Sequence, residues 1–275
     1  MKISPSQRTV VALIPALALL LGLVAACHKQ TVQIAPDLAS SDEALYKLGE
    51  ATIKKDTEKG LLYLRQVIDS FPKSFYAQRA KLLIADAYYR KNDESSMILA
   101  AAEYREFIRS YPYSPSAAYA QYQVAMTFFK KMLKPGRDPS KTIQALAEFK
   151  KVMTDFPGSD QAKDAQDKIK ECEERLAGHS AEIAISYFSR RGYRATISRL
   201  TEIMNQYPNY AGMDQVYFYL AESYFMMRAY DQAVPFYTKV ITDYSGRKMA
   251  KTSSQRLAEI EKLKTAPPTV KVKKS

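Results

Sequence analysis

One phrase recurs five times along this chain. An apolar stripe at three- and four-residue steps closes on an aromatic residue and, in four copies, a proline. Leu64, Val67 and Ile68 lead to Phe71-Pro72, and Tyr104, Phe107 and Ile108 lead to Tyr111-Pro112. Phe149, Val152 and Met153 lead to Phe156-Pro157, and Leu200, Ile203 and Met204 to Tyr207-Pro208. In the last copy Tyr237, Val240 and Ile241 lead to Tyr244, with Ser245 in the proline's place. This spacing gathers the apolar side chains on one helix face. A proline then ends the helix, because it pushes the residue before it out of the α region. Ser74, Ser114 and Ser159, each two residues past a proline, are the predicted N-caps of the helices that follow.

A second helix precedes each phrase. In the fifth copy Tyr217, Leu220, Ala221 and Tyr224 are followed by Ala233, Tyr237 and Ser245, the large–small–aromatic order of a tetratricopeptide repeat of ~34 residues. The fourth copy offers Ile183, Ala184, Tyr187, Leu200 and Pro208; the third, Val124, Ala125, Phe128, Ala145 and Phe149. The second has Ile84, Ala85, Tyr88, Ala100 and Tyr104, and the first Leu45, Leu48, Gly49, Gly60 and Leu64. Core packing is the expected role of all these positions. The prolines are 40, 45 and 51 residues apart, longer than the repeat. The excess predicts three residues added at the 91–96 turn, a loop at 131–139 and an extra helix before the fourth repeat. The expected fold is all-α: a tetratricopeptide-repeat solenoid of about five helix–turn–helix repeats, with a linking helix and a C-terminal capping helix. Its predicted divisions are repeats one to three at 42–158, the linking helix at 159–176, repeats four and five at 177–247 and the cap at 248–264. A basic tail, expected to be disordered, occupies 265–275.

The N-terminus carries an address. Lys2 and Arg8 precede an apolar run, and Val24-Ala25-Ala26 leads into Cys27. A positive region, a short apolar stretch and small residues before a cleavage point form an export signal. Apolar-Ala-Ala-Cys resembles the lipobox of bacterial lipoproteins, which implies cleavage after residue 26 and lipidation of Cys27. Residues 27–41 then form a flexible tether. No aspartate follows the cysteine, which by the same resemblance favours the outer membrane, with the body on the periplasmic face.

The mature chain keeps 39 Lys+Arg against 29 Asp+Glu. That balance suits nucleic acid, but an exported chain rarely meets it, so no nucleic-acid partner is expected. Cys172 has no second thiol once Cys27 is lipidated, and His28 and His179 are the only histidines. No histidine metal cluster, phosphate loop or nucleophile elbow is present. The chain therefore reads as a non-enzyme without metal, cofactor or catalytic residues.

Several stretches go beyond generic repeat character. Arg137-Asp138-Pro139, Phe156-Pro157-Gly158-Ser159 and Tyr187-Phe188-Ser189-Arg190-Arg191-Gly192-Tyr193 resemble segments of the BamD family, lipoproteins of the outer-membrane β-barrel assembly machine. The resemblance implies an adaptor that docks on the POTRA domains of the barrel-forming subunit, works beside other assembly lipoproteins and recognises unfolded outer-membrane proteins. It places Arg191, Tyr193 and Arg199 in the docking region. For the substrate peptide, the doublets Phe75-Tyr76 and Tyr88-Tyr89 are the candidates, because both members of a doublet cannot face one core. The alternative is a repeat scaffold lipoprotein of Tol–Pal and peptidoglycan coordination or of polysaccharide export.

Overall fold

The computed structural model describes residues 41–265. Cys27, the tether through residue 40 and the basic tail from residue 266 lie outside the described residues; Ser41, expected in the tether, caps the first helix, and Thr265, expected in the tail, ends the last one. Among the described residues every regular element is a helix, and there are eleven. They are α1 (Asp42–Thr52), α2 (Thr57–Ser70), α3 (Phe75–Lys91), α4 (Glu94–Ser110), α5 (Ala117–Phe129) and α6 (Ser140–Asp155). There follow α7 (Asp160–Ser189), α8 (Tyr193–Gln206), α9 (Met213–Met226), α10 (Tyr230–Asp243) and α11 (Lys248–Thr265). The chain divides into two compact units, the first ending at Tyr76 and the second beginning at Ala77.

Each recurring phrase stops its helix in one conformation. Phe71, Tyr111, Phe156 and Tyr207, all before proline, are C-caps with φ between −131° and −137° and ψ between 52° and 62°. Tyr244, before serine, has the same φ but a ψ of only 35°. The proline ring accounts for the difference, since it excludes the preceding residue from the α region. Ser159 caps α7 through the Ala162 N–H, as the sequence predicts. Ser114 sits earlier than a cap: its hydroxyl accepts from Ser116 N–H, and α5 begins only at Ala117.

In the first unit α1 and α2 cross on glycines. A Cβ on Gly49 would meet Leu64 at 2.8 Å, and one on Gly60 would collide with the Ile53 backbone. The small residues of the repeat pattern thus set the helix spacing, and Leu45 and Leu64 fill the space beside them, fully buried.

The second unit stacks its helices in chain order, α6 to α11 each packing on its neighbours. The extra length of the second repeat does not enlarge its turn: only Asn92 and Asp93 separate α3 from α4, and both helices instead run to 17 residues. The 131–139 insertion is a loop between α5 and α6. The inserted helix and the first helix of the fourth repeat are one 30-residue helix, α7. Its first half packs on α6 and its second half on α8, with further contacts to α5 and α9. The α5–α6 loop lies against α7 at Gly178, where a Cβ would come 3.4 Å from Pro135.

Two carboxylates at one repeat position, Asp86 half-buried and Glu222 buried, tie repeats together. Asp86 on α3 accepts from the hydroxyls of Tyr104 on α4 (2.6 Å) and Tyr119 on α5 (2.9 Å). Glu222 on α9 accepts from Tyr237 on α10 (2.6 Å) and, through both oxygens, from Arg256 on α11 (2.9 and 3.2 Å). Asp86 follows Ala85 and Glu222 follows Ala221, so the two acids hold one repeat position. The third repeat has Met126 there, and its Phe149 replaces the tyrosine. Burial first, then the neighbouring carboxylate, pushes the phenols of Tyr104 and Tyr237 well above the ordinary range.

Candidate interaction surface at the helix ends

The docking candidates lie where α7 turns into α8. Arg191 adopts φ 62°, the left-handed region that side chains other than glycine rarely enter. Around it the helix end closes by two hydrogen bonds, Gly192 N–H to Tyr187 C=O at 2.8 Å and Arg191 N–H to Phe188 C=O at 2.9 Å. This is the paired closure of a Schellman turn, with arginine in the glycine position. Arg228, between α9 and α10, repeats it at φ 62°, and Asn92 stands at the corresponding turn between α3 and α4 with φ 56°. The sequence gives Arg191 a docking role only; its backbone also makes the turn.

Tyr193 is half-buried. Its ring meets Phe188 edge-on at 5.5 Å, and Phe188 meets Tyr219 at 5.1 Å. Arg199 is exposed and lies over the ring of Tyr187 at 5.1 Å. Tyr187 itself is 39% exposed, a correction to its expected core role. It stands on the last turn of α7, where the arginine rather than a further helix covers one face. Arg190 and Arg194 share the turn, both exposed. Among the described residues no ion pair engages Arg190, Arg191, Arg194 or Arg199. Four unpaired guanidinium groups and an open tyrosine face suit an acidic partner surface, since arginine combines charge, planar donors and an apolar stem. Arg194 was not among the sequence candidates. The signal was the run of arginines itself, Arg190-Arg191 with Arg194 and Arg199 at helical spacing.

The substrate candidates separate. Phe75 and Tyr76 close the first unit, where Phe75 is 66% exposed and Tyr76 packs on Tyr46 at 5.5 Å. Tyr88 and Tyr89 belong to the second unit. Tyr88 is only 8% exposed and is a core residue, as its repeat position requires. Tyr89 is half-buried, with Lys130 Nζ 4.0 Å from its ring centre and Tyr104 edge-on at 6.4 Å. Burial pushes its phenol up to about 12. Of the second doublet, then, only Tyr89 offers a ring to the surface.

Among the described residues no group of three or more His, Cys, Asp or Glu is placed to hold a metal ion, and no helix is long and apolar enough to cross a membrane. Cys172 is buried against Met132, their sulfurs 3.8 Å apart, and burial pushes its thiol up to about 12.

The model of the family described as YfiO, outer membrane lipoprotein, matches residues 38–237. The chain belongs to this family. Outer membrane protein assembly factor BamD of Caulobacter vibrioides is 28% identical over 192 residues, which are 70% of this chain and 62% of that protein. The chain therefore spans under two thirds of that relative's length. BamD of Haemophilus influenzae is 26% identical over 220 residues, 76% of this chain and 82% of the relative. BamD of Neisseria meningitidis is 29% identical over 180 residues, 62% of this chain and 66% of the relative. The solved TPR2AB-domain:pHSP90 complex of yeast Sti1 overlays with a TM-score of 0.42 at 13% identity, covering 80% of this chain and 85% of that one. Membership associates the chain with the outer membrane, and its relatives are assembly factors there.

Proposed function

We propose that this protein is a non-catalytic adaptor in the assembly of β-barrel outer-membrane proteins, held by lipid on Cys27 at the periplasmic face. In this reading the α7–α8 turn docks on the POTRA domains of the barrel-forming subunit. Other assembly lipoproteins bind elsewhere on the repeats, and Phe75, Tyr76 and Tyr89 engage aromatic segments of unfolded barrel substrates. The observation that carries the reading is the cluster of Arg190, Arg191, Arg194 and Arg199, exposed, unpaired among the described residues and seated on the segment that resembles BamD most specifically. A packed repeat has no need of four like charges around one helix junction, whereas an acidic docking surface is complemented by them.

The test is a mild-detergent pull-down of the tagged full chain from its host's membranes. A POTRA-containing barrel protein should copurify and be lost on Arg194→Glu or Arg199→Glu, which change side chains without touching the strained backbone at Arg191. Capture of Tol–Pal or polysaccharide-export proteins in its place would overturn the assembly role.

A further inference from the structure

The two ends of the stacked helices differ in charge. From α3 onward neighbouring helices run antiparallel, so alternate connections lie at one end of the stack. Between α4 and α5, α6 and α7, α8 and α9, and α10 and α11 the connecting residues include a single charged group, Arg247. The connections at the opposite end, α3–α4, α5–α6, α7–α8 and α9–α10, contain Lys130, Lys131, Lys134, Arg137, Arg190, Arg191 and Arg228 against Asp93 and Asp138. Cations in a last helical turn complement the helix dipole, which accounts for some of these. It does not account for Lys134 and Arg137, which stand in the α5–α6 loop, outside any helix.

That loop reads Lys130-Lys131-Met132-Leu133-Lys134-Pro135-Gly136-Arg137. Its backbone is pinned at two carbonyls, Leu133 by Arg175 at 2.8 Å and Pro135 by His179, while the Lys131 side chain donates to the Asn92 carbonyl outside the loop. Met132 turns inward onto Cys172. Leu133 stays 50% exposed although its own carbonyl is held, so the loop presents an apolar side chain outward between lysines. Among the described residues no ion pair engages Lys134 or Arg137. An exposed leucine flanked by two cations outside any ion pair among the described residues matches the chemistry of an anionic bilayer surface, where the leucine enters the interface and the cations meet lipid phosphates.

We propose that the α5–α6 loop is a second membrane contact, seating Leu133 in an anionic bilayer with Lys134 and Arg137 on its headgroups. The inference uses the outer-membrane association of the family and is independent of the docking role proposed for the α7–α8 turn.

The chain contains no tryptophan, so Leu133→Trp introduces a single fluorophore. The full chain carrying it, extracted from membranes, would be reconstituted into phosphatidylcholine vesicles with and without phosphatidylglycerol. The expected result is a blue-shifted emission, quenched by brominated lipid, only when phosphatidylglycerol is present. It should weaken about five-fold for each cation removed and vanish in the Lys134→Glu/Arg137→Glu background. Tyr113→Trp, fully exposed in the α4–α5 connection, should show no shift. Unshifted emission at Leu133→Trp in both vesicles would overturn the proposal, as would equal shifts at both probe positions. A shift caused by copurifying proteins in lipid-free detergent would assign the loop to a protein partner and overturn it too. The pull-down on Arg194 and Arg199 is unaffected by either result, so the two readings fail separately.

Discussion

The second and fifth repeats solve one problem with different chemistry. In each, an acidic residue follows the small alanine of the first helix and accepts a hydrogen bond from the aromatic position of the second helix. Asp86 then takes a neutral third partner, the Tyr119 hydroxyl, from the next repeat. Glu222 takes a charged one, the two-pronged Arg256, from the terminal helix α11. A helix at the end of a repeat stack packs on one side only and gains less from apolar burial than an internal helix. The guanidinium, which also lies over Phe225 at 4.4 Å, supplies a directional lock in its place. The third repeat lacks this pair, having Met126 and Phe149 in its place; its buried carboxylate is Glu148, which accepts from Arg105 and Gln121.

The largest effect should come from breaking the charged node. Glu222→Ala leaves Arg256 and the Tyr237 hydroxyl without their acceptor and should destabilise the second unit by about 3 kcal/mol in chemical denaturation, with α11 the first segment to lose hydrogen-exchange protection. A loss no greater than that of an exposed glutamate would sink the idea that α11 is locked this way. Asp86→Ala strands two neutral hydroxyls and should cost about 2 kcal/mol. The comparison sharpens if the node is built where it is missing. Phe149→Tyr buries a hydroxyl with no acceptor and should cost about 1–2 kcal/mol, part of which Met126→Asp should restore in a double-mutant cycle. Additive effects would show that the repeat position alone does not create the contact.

Ionisation separates Tyr119, which donates to Asp86, from Tyr89, which does not. Burial, then the Asp86 carboxylate, raises the phenol of Tyr119 to about 12, whereas burial alone raises Tyr89 to about 12. Asp86→Asn should therefore lower the tyrosinate midpoint of Tyr119 and leave that of Tyr89 in place, followed by ultraviolet absorbance. Folded pKa values above the unfolded value of about 10 mean that the folded state holds these protons more tightly. Their contribution to stability is present in full below pH ~10 and is lost as pH rises toward about 12. The smallest expected effect is a gain. Arg228→Gly relieves a left-handed arginine and should raise stability by up to ~1 kcal/mol, and Arg191→Gly by a similar amount while also testing docking. No gain at either site would mean that these turns carry little strain.

The sequence was most legible where chemistry acts between neighbours. Proline acts on the residue before it, so the helix ends at Phe71, Tyr111, Phe156 and Tyr207 followed from order alone, and the fainter stop at Tyr244 from the missing proline. Three- and four-residue periodicity marked the core at Leu64, Tyr104, Phe149, Leu200 and Tyr237, because a helix face is set by angle per residue. The surface was less legible. Tyr88 and Tyr89 look alike in the sequence, yet one is core and the other borders Lys130, which comes from the α5–α6 connection. Tyr187 kept its repeat spacing but not its burial.

By itself, the order of residues determined an all-helical chain of five repeats, the position of every proline-terminated helix end, and membership signals strong enough to name a family. Only the tertiary structure decided that the second repeat's extra residues lengthen its helices, that α7 runs unbroken through Gly178, and that Asp86 and Glu222 each gather donors from two other helices. The reason is physical. Backbone sterics and periodicity act over a few residues and can be read along the chain. A hydrogen bond between residues 33 or 34 positions apart exists only once packing has fixed how neighbouring helices meet.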